Sequence, residues 1–349
     1  MKVITVTDAW HPQVNGVVRT IEATNRELER AGHSTEVITP LAFSSMPCPG
    51  YREIRLSLWP SRRLAGLLDQ TLDVGDAAIH IATEGPLGHA ARRYCLARGL
   101  AFTTAYHTRF PQYLKAMFGI PERYTYRFLR YFHGPAAAVM APTPTVEREL
   151  SDHGLANVAL WTRGVDLDVF KPREPLFDDA RHPIFLYVGR VSVEKNIQAF
   201  LALDLPGTKV VAGIGPELEA LRKRFPEVRF VGVLDPERLA RLYSAADVFV
   251  FPSRTDTFGL VLLEALACGT PVAAFPVQGP VDVVGGSNVA VLDEDLRKAA
   301  LHALRIDRSQ CRDYAERFSW RAATAQFIAL QRPVRRARAR VEPAPRVAL

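Results

Sequence analysis

The chain has 349 residues, room for two domains of ordinary size, and its 48% hydrophobic and 23% charged residues strike a globular balance. No apolar run reaches the roughly 18 residues of a membrane span, and Cys48, Cys95, Cys268 and Cys311 are scattered without metal-ligand or disulfide spacing. The net charge of +7 points to anionic partners such as nucleotides, phosphates or anionic lipid, without choosing among them.

The opening stretch MKVITVTDAW reads as a buried strand, with Asp8 where a signal peptide would stay apolar, so a cytoplasmic protein is expected. GVVRTIEATNRELERAG follows with helical period and ends at Gly32. Next come the strand STEVITP, a loop with Pro47 and Pro49, the strand AAIHIATEG, the helix PLGHAARRYCLARG and the strand AFTTAYHT. AAAVMAPT, a short helix and VALWTRGVD close this half. Residues 171–183, KPREPLFDDARHP, are polar and proline-bearing and read as a linker. A second series runs through IFLYVGR, KVVAGIG, VRFVGV, DVFVFPS and PVAAF, with helices between. Continuous β-branched runs alternating with helices indicate parallel sheets covered on both faces. Two such series in tandem predict an α/β protein of two Rossmann-like, doubly wound domains facing a cleft, over residues 1–170 and 171–310. Residues 332–349, with six arginines and three prolines, read as a disordered tail.

Four motifs fall where ligands of open parallel sheets bind, beyond the carboxyl ends of strands. VGRVSVEKN carries Arg190 and Lys195 from a strand end towards a helix. Two cations there suit a diphosphate, Arg190 as a fork and Lys195 as a point charge, though two solvated surface cations would look the same. FPSRTDTFGLVLLEALACG pairs a strand with a helix that is apolar nearly all round and therefore buried. The start of that helix, near Thr257, Phe258, Gly259 and Leu260, offers free N–H groups to an anion. Asp256 stands before it and Glu264 two turns in. A carboxylate accepts from two vicinal hydroxyls at once, so sugar hydroxyls at Asp256 and ribose hydroxyls at Glu264 would hold a nucleotide sugar by both ends. The plain alternative makes Asp256 an N-cap and Glu264 an exposed helix residue, but Glu264 has apolar neighbours on both sides. In DAWHPQVNGVVRT, Gly16 lets backbone N–H groups approach a phosphate. His107 in TTAYHTRFP and Glu84 in TEGPLG end neighbouring strands of the first half.

Together these motifs resemble the retaining glycosyltransferases of the GT-B type in glycosyltransferase family 4. That family's marker is a glutamate, seven residues and a second glutamate, usually with Phe-Gly after the first. Here DTFGLVLLE puts Asp256 in the first place, which keeps the charge and shortens the reach by one methylene. GRVSVEKN matches the family's donor loop, Gly16 its first-strand glycine and His107 its acceptor-side histidine. Glu84 is expected on the same acceptor side. AERFSW resembles the family's C-terminal crossover helix, expected over 311–331, which packs back on the first domain. TEGPLG, YHTRFPQY and TDTFGLVLLEA look most like the branch that glycosylates lipids, which includes glycosyl- and sulfoquinovosyl-diacylglycerol synthases and phosphatidylinositol mannosyltransferases.

The resemblance implies a front-face reaction with retention. Arg190 and Lys195 would stabilise the leaving diphosphate, which makes a metal unnecessary, and no cofactor is expected. Backbone atoms near Val233 are expected to meet the base, which does not separate uracil from guanine. The partners expected are a nucleotide-sugar donor, with UDP favoured and GDP-mannose as the alternative, a lipid acceptor, and an anionic membrane surface. Arg123, Arg127 and Arg130 in ERYTYRFLRYFH lie at helical spacing beside Tyr124, Phe128, Tyr131 and Phe132, a pattern that suits the inner face of the cell membrane. Three rivals are weaker: a dehydrogenase, a nucleic-acid binder, and a non-hydrolysing sugar-nucleotide epimerase of the same fold, in which the Asp256–Glu264 helix is not expected. GIGPEL lacks the third glycine of a dinucleotide fingerprint, and the basic composition comes with no base-reading module, so no nucleic-acid partner is expected.

Overall fold

The computed structural model describes residues 1–12, 15–48, 51–72, 76–176 and 181–334. The first half contains β1 (Lys2–Val6), α1 (Gly16–Arg30), β2 (Ser34–Ile38), β3 (Ser45–Cys48), β4 (Tyr51–Ser57), α2 (Ser61–Leu72), β5 (Ala77–Ile81) and α3 (Pro86–Arg98). It continues with β6 (Thr103–Ala105), α4 (Phe110–Phe118), α5 (Glu122–His133), β7 (Ala138–Ala141), α6 (Pro144–Asp152) and β8 (Val158–Leu160). The second half contains β9 (Ile184–Val188), α7 (Ile197–Leu201), β10 (Thr208–Ala212), α8 (Leu218–Arg224), β11 (Arg229–Gly232), α9 (Pro236–Ala245), β12 (Val248–Phe251) and α10 (Leu260–Ala267). It closes with β13 (Val272–Ala274), α11 (Gln278–Val284), β14 (Ala290–Leu292), α12 (Leu296–Ala303), α13 (Ser309–Ala315) and α14 (Trp320–Leu330).

Two six-stranded sheets result, in the orders β2-β1-β5-β6-β7-β8 and β11-β10-β9-β12-β13-β14. Every ladder in both is parallel. The order reverses beside β1 in one sheet and beside β9 in the other. Those are the crevices where an open parallel sheet takes its ligand. β5 and β9 are buried along their whole length, as a strand covered on both faces must be.

Two readings need correction. The stretch expected as a loop with Pro47 and Pro49 holds the antiparallel hairpin β3–β4 and the helix α2. In α2, Leu64, Leu68 and Leu72 recur every fourth residue and are buried, so a helical signal was there to read. The expected single crossover helix is two helices. α13 stays with the second sheet, where Cys311 and Ala315 join its core and Tyr314 Oη donates to the Val283 carbonyl at 2.6 Å. α14 crosses back to the first half. There Phe327 packs on Trp161, 5.0 Å between ring centroids, and Gln326 Oε1 accepts from Thr162 N at 2.9 Å. The crossing point requires Gly164, since a Cβ there would lie 2.3 Å from Trp320 N. The expected Arg-rich tail lies, from residue 335 onward, outside the described residues.

Candidate active site

The first wall of the cleft is built at the end of β1. Asp8 is buried, and its carboxylate accepts from Leu87 N at 2.9 Å, Gly88 N at 3.3 Å and Thr83 Oγ1 at 2.9 Å, tying this loop to the start of α3. Burial pushes its carboxyl up from the usual value, and those hydrogen bonds pull the other way. Gly85 leaves room for it, because a Cβ there would sit 2.4 Å from the Asp8 carboxyl carbon. α1 then begins at Gly16, capped by Asn15, whose Oδ1 accepts from Val17 N and Val18 N at 3.0 Å.

Across the cleft, a Cβ on Gly16 would meet Leu260 at 3.9 Å, so the starts of α1 and α10 face each other. α10 begins at Leu260, later than the sequence suggested, because Gly259 takes a left-handed φ of 84°. No side chain caps it, so Asp256, four residues earlier, is not an N-cap. Asp256 Oδ1 instead meets Lys195 Nζ at 2.5 Å, and its Oδ2 is shut from solvent without a partner. The loop carrying Lys195 is stitched to the loop carrying Asp256: Asn196 Nδ2 donates to Pro252 O at 3.0 Å and Thr255 Oγ1 to Glu194 O at 3.2 Å. Arg190 is half-buried just beyond β9, and its carbonyl accepts from Tyr187 Oη at 2.7 Å. The glycines of GIGPEL serve this loop. A Cβ on Gly213 would lie 1.9 Å from Gly189 O, and one on Gly215 2.2 Å from Val191 O. Val233 is exposed beside Ile214, their strand ends joined by Gly213 N donating to Gly232 O at 2.7 Å.

Glu264 is 5% exposed. Its Oε1 takes Arg19 Nη1 at 2.5 Å, an ion pair that crosses the cleft from α1 to α10, and its Oε2 accepts from the buried Tyr243 hydroxyl at 3.2 Å. The Glu264 charge raises the pKa of Arg19 further. Phe258 is buried behind the helix start, near Phe318. Thr257 Oγ1 also crosses the cleft, donating to the His107 carbonyl at 3.0 Å.

His107 lies two residues beyond β6. Burial, then the Arg163 charge, holds its pKa well below the usual value, so the ring is neutral. Arg163 Nη2 stands 3.4 Å from Nδ1 and can only donate, so Nδ1 accepts and the proton sits on Nε2. That Nε2 is buried and has no partner in the chain. Arg163 itself is buried, held down to about 9 by burial, and donates to the Trp161 and Thr162 carbonyls. Glu84 Oε1 lies 3.2 Å from Nε2 of the buried His133. On α5, Arg123, Tyr124, Arg127, Phe128, Arg130 and Tyr131 are exposed. Phe132, expected among them, is wholly buried, because it lies on the side of the helix that faces the first core.

The structure therefore brings Gly16, Lys195, Asp256, Thr257, Leu260, Glu264 and His107 to one cleft. Sequence reasoning missed Arg19, Tyr243 and Arg163. Arg19 lies inside DAWHPQVNGVVRT and Arg163 inside VALWTRGVD, but neither stretch marks it as a site residue. Among the described residues, no group of three or more His, Cys, Asp or Glu could hold a metal ion, and no helix is long and apolar enough to cross a membrane.

Two parallel α/β units with a cleft between them are the GT-B architecture. The fold is shared with a sucrose-phosphate synthase from Thermosynechococcus elongatus, at a TM-score of 0.73 and 23% identity over 94% of this chain and 98% of that one. The model described as Glycosyltransferase Family 4 matches residues 14–169, and that described as Glycosyl transferases group 1 matches residues 182–306. A GDP-mannose-dependent alpha-mannosyltransferase of Mycobacterium tuberculosis is 30% identical over 81% of each chain. A sulfoquinovosyl transferase of Arabidopsis thaliana is 29% identical over 81% of this chain, which spans 61% of that protein's length. An alpha-monoglucosyldiacylglycerol synthase of Streptococcus pneumoniae is 27% identical over 78% of this chain and 71% of its own. The chain belongs to glycosyltransferase family 4 and is a glycosyltransferase.

Proposed function

We propose that the enzyme moves a hexose, with retention, from a nucleoside-diphosphate sugar to a lipid acceptor at a membrane surface. The observation that carries the donor half is the meeting of the uncapped start of α10 with Gly16, Lys195 and the buried Glu264. The donor diphosphate lies at that helix start, with Arg190 and Lys195 as the fixed charges that stabilise the leaving group. Those two cations take the part a metal would otherwise play. Asp256 meets the transferring sugar, Glu264 the ribose, and the base lies over Val233. The neutral His107 directs Nε2–H at the sugar or the incoming hydroxyl, and Glu84 lines the acceptor side. The leaving phosphate takes the acceptor's proton.

A second set of observations supports the lipid half. Trp59 is 94% exposed, held out by a positive φ of 49°. It lines a surface groove of about 520 Å³ with Arg62, Arg63 and Leu67 of α2. α3 links this groove to α5, for Arg93 donates to Ser61 Oγ at 2.8 Å and the Arg92 guanidinium lies 4.2 Å from the Tyr131 ring centroid. Arginines and exposed aromatics thus share one side of the first half, a composition that suits anionic headgroups and the acyl boundary. The relative named alpha-monoglucosyldiacylglycerol synthase favours this reading. The relative named for GDP-mannose favours a second one, a mannosyltransferase acting on a phosphoinositide or glycan. Radiolabelled UDP-glucose, UDP-galactose, UDP-glucuronate and GDP-mannose, each offered with vesicles of diacylglycerol or phosphatidylinositol, test both by thin-layer chromatography. Labelled lipid with none of them would refute the first reading if a soluble acceptor were labelled instead.

A further inference from the structure

Both oxygens of the Glu264 carboxylate are already engaged within the chain. Glu264 is closed from behind by Tyr243, whose ring is fully buried, and its other oxygen is taken by Arg19 reaching across the cleft. The Arg19 side chain is 32% exposed and that of Glu264 only 6%, so the open side of the carboxylate is the side from which Arg19 enters. A ribose approaching from the cleft meets that guanidinium first. The two vicinal hydroxyls and the guanidinium want the same lone pairs, and a carboxylate oxygen this enclosed has few directions to spare.

We propose that Arg19 is a gating residue of the donor site, holding Glu264 and yielding it only to a ligand with ribose hydroxyls. This rests on the ribose reading of Glu264. Nucleotide affinity is then a difference between two sets of contacts, and a nucleotide without ribose hydroxyls binds with Arg19 left in place. The gate therefore weakens only ribonucleotide binding, and base and phosphate contacts alone do not open it.

The test is calorimetric titration of UDP, GDP and 2′,3′-dideoxy-UDP into the full-length protein and its variants. Arg19→Ala should bind UDP or GDP about five- to tenfold more tightly, the scale of a partly exposed ion pair with one buried partner. It should bind the dideoxynucleotide as wild type does, an asymmetry that a merely structural role would not produce. Arg19→Lys, which keeps the charge, should restore wild-type values, and Arg19→Gln should resemble alanine if the alanine variant does not fold. In a Glu264→Gln background, changing Arg19 should have no effect. If Glu264→Gln weakens ribonucleotide binding but Arg19→Ala fails to tighten it, the gate is wrong and the ribose reading stands. If Glu264→Gln leaves ribonucleotide affinity unchanged, the ribose reading fails and the gate with it.

Discussion

Replacing Lys195 with alanine separates two jobs the structure gives its ammonium group. Nζ lies 2.5 Å from Asp256 Oδ1, and both side chains are only part-buried. If holding Asp256 were the whole role, the loss would be that of a partly exposed ion pair, up to about 1 kcal/mol or roughly fivefold in rate. If Lys195 also meets the leaving diphosphate, it is a preorganised charge aimed at where charge develops. Losing such a group costs about 100- to 1,000-fold in kcat, roughly 2.7–4 kcal/mol. Because that charge peaks in the transition state, KM should move less than kcat. We expect the larger loss. Asp256→Ala and the double variant complete the cycle: two independent contacts with the donor make the losses multiply, whereas a lysine that only positions Asp256 makes the double variant no slower than Asp256→Ala. The assay is the initial rate of nucleoside diphosphate release at saturating donor. A Lys195→Ala rate within tenfold of wild type, or a double variant equal to Asp256→Ala, refutes the assignment.

Asp256→Glu restores the family's usual residue, one methylene longer. It should change the preference among donor sugars while leaving the affinity for free nucleoside diphosphate as it was, and an unaltered donor profile in competition assays counts against the sugar contact. His80 is wholly buried against Trp161 and Phe327, and burial holds it down to about 3. Unfolded, it protonates near 6.5, so its contribution to stability is complete above that pH and is lost as pH falls towards 3. Between pH 7 and pH 5 this one ring costs about 2 kcal/mol. His80→Asn should shrink the difference in unfolding free energy between those two pH values by that amount, read by denaturant titration, and an unchanged difference would remove His80 as the cause. Trp59→Ser combined with Arg123, Arg127 and Arg130 changed to glutamate should release the enzyme from anionic vesicles at low salt and abolish labelling of vesicle-borne lipid, with nucleotide binding intact. Normal sedimentation with vesicles would exclude this face as the docking surface.

The fold was legible because its signals are local. A strand buried on both faces is mostly apolar, and β1, β5 and β9 announce themselves in that way. The hairpin β3–β4 and the helix α2 were passed over because Pro47 and Pro49 read as loop punctuation, although the leucines of α2 carried a helical period. The start of α10 was set three residues early because Thr257-Phe258-Gly259 looks like a helix entry. The left-handed Gly259 delays it, and so frees Thr257 to bond the His107 carbonyl and Asp256 to face Lys195.

The site was legible only where its parts share a segment. Asp256 and Glu264 stand on one loop and helix, and their spacing could be read. Arg19 and Glu264 are separated by 245 positions, and no periodicity connects them. The same holds for Arg163 and His107, 56 positions apart. In each case sequence reasoning found the member that the resemblance marked and missed the one that sets its state: Arg163 fixes which His107 nitrogen carries the proton, and Arg19 occupies the carboxylate that Glu264 offers. A cleft between two domains is made of such long-range pairs, so its electrostatics follow from how the sheets face each other. That is why removing the Arg19 charge, at a position given no role by the motif that contains it, is expected to alter ribonucleotide binding as directly as a change in the marker itself.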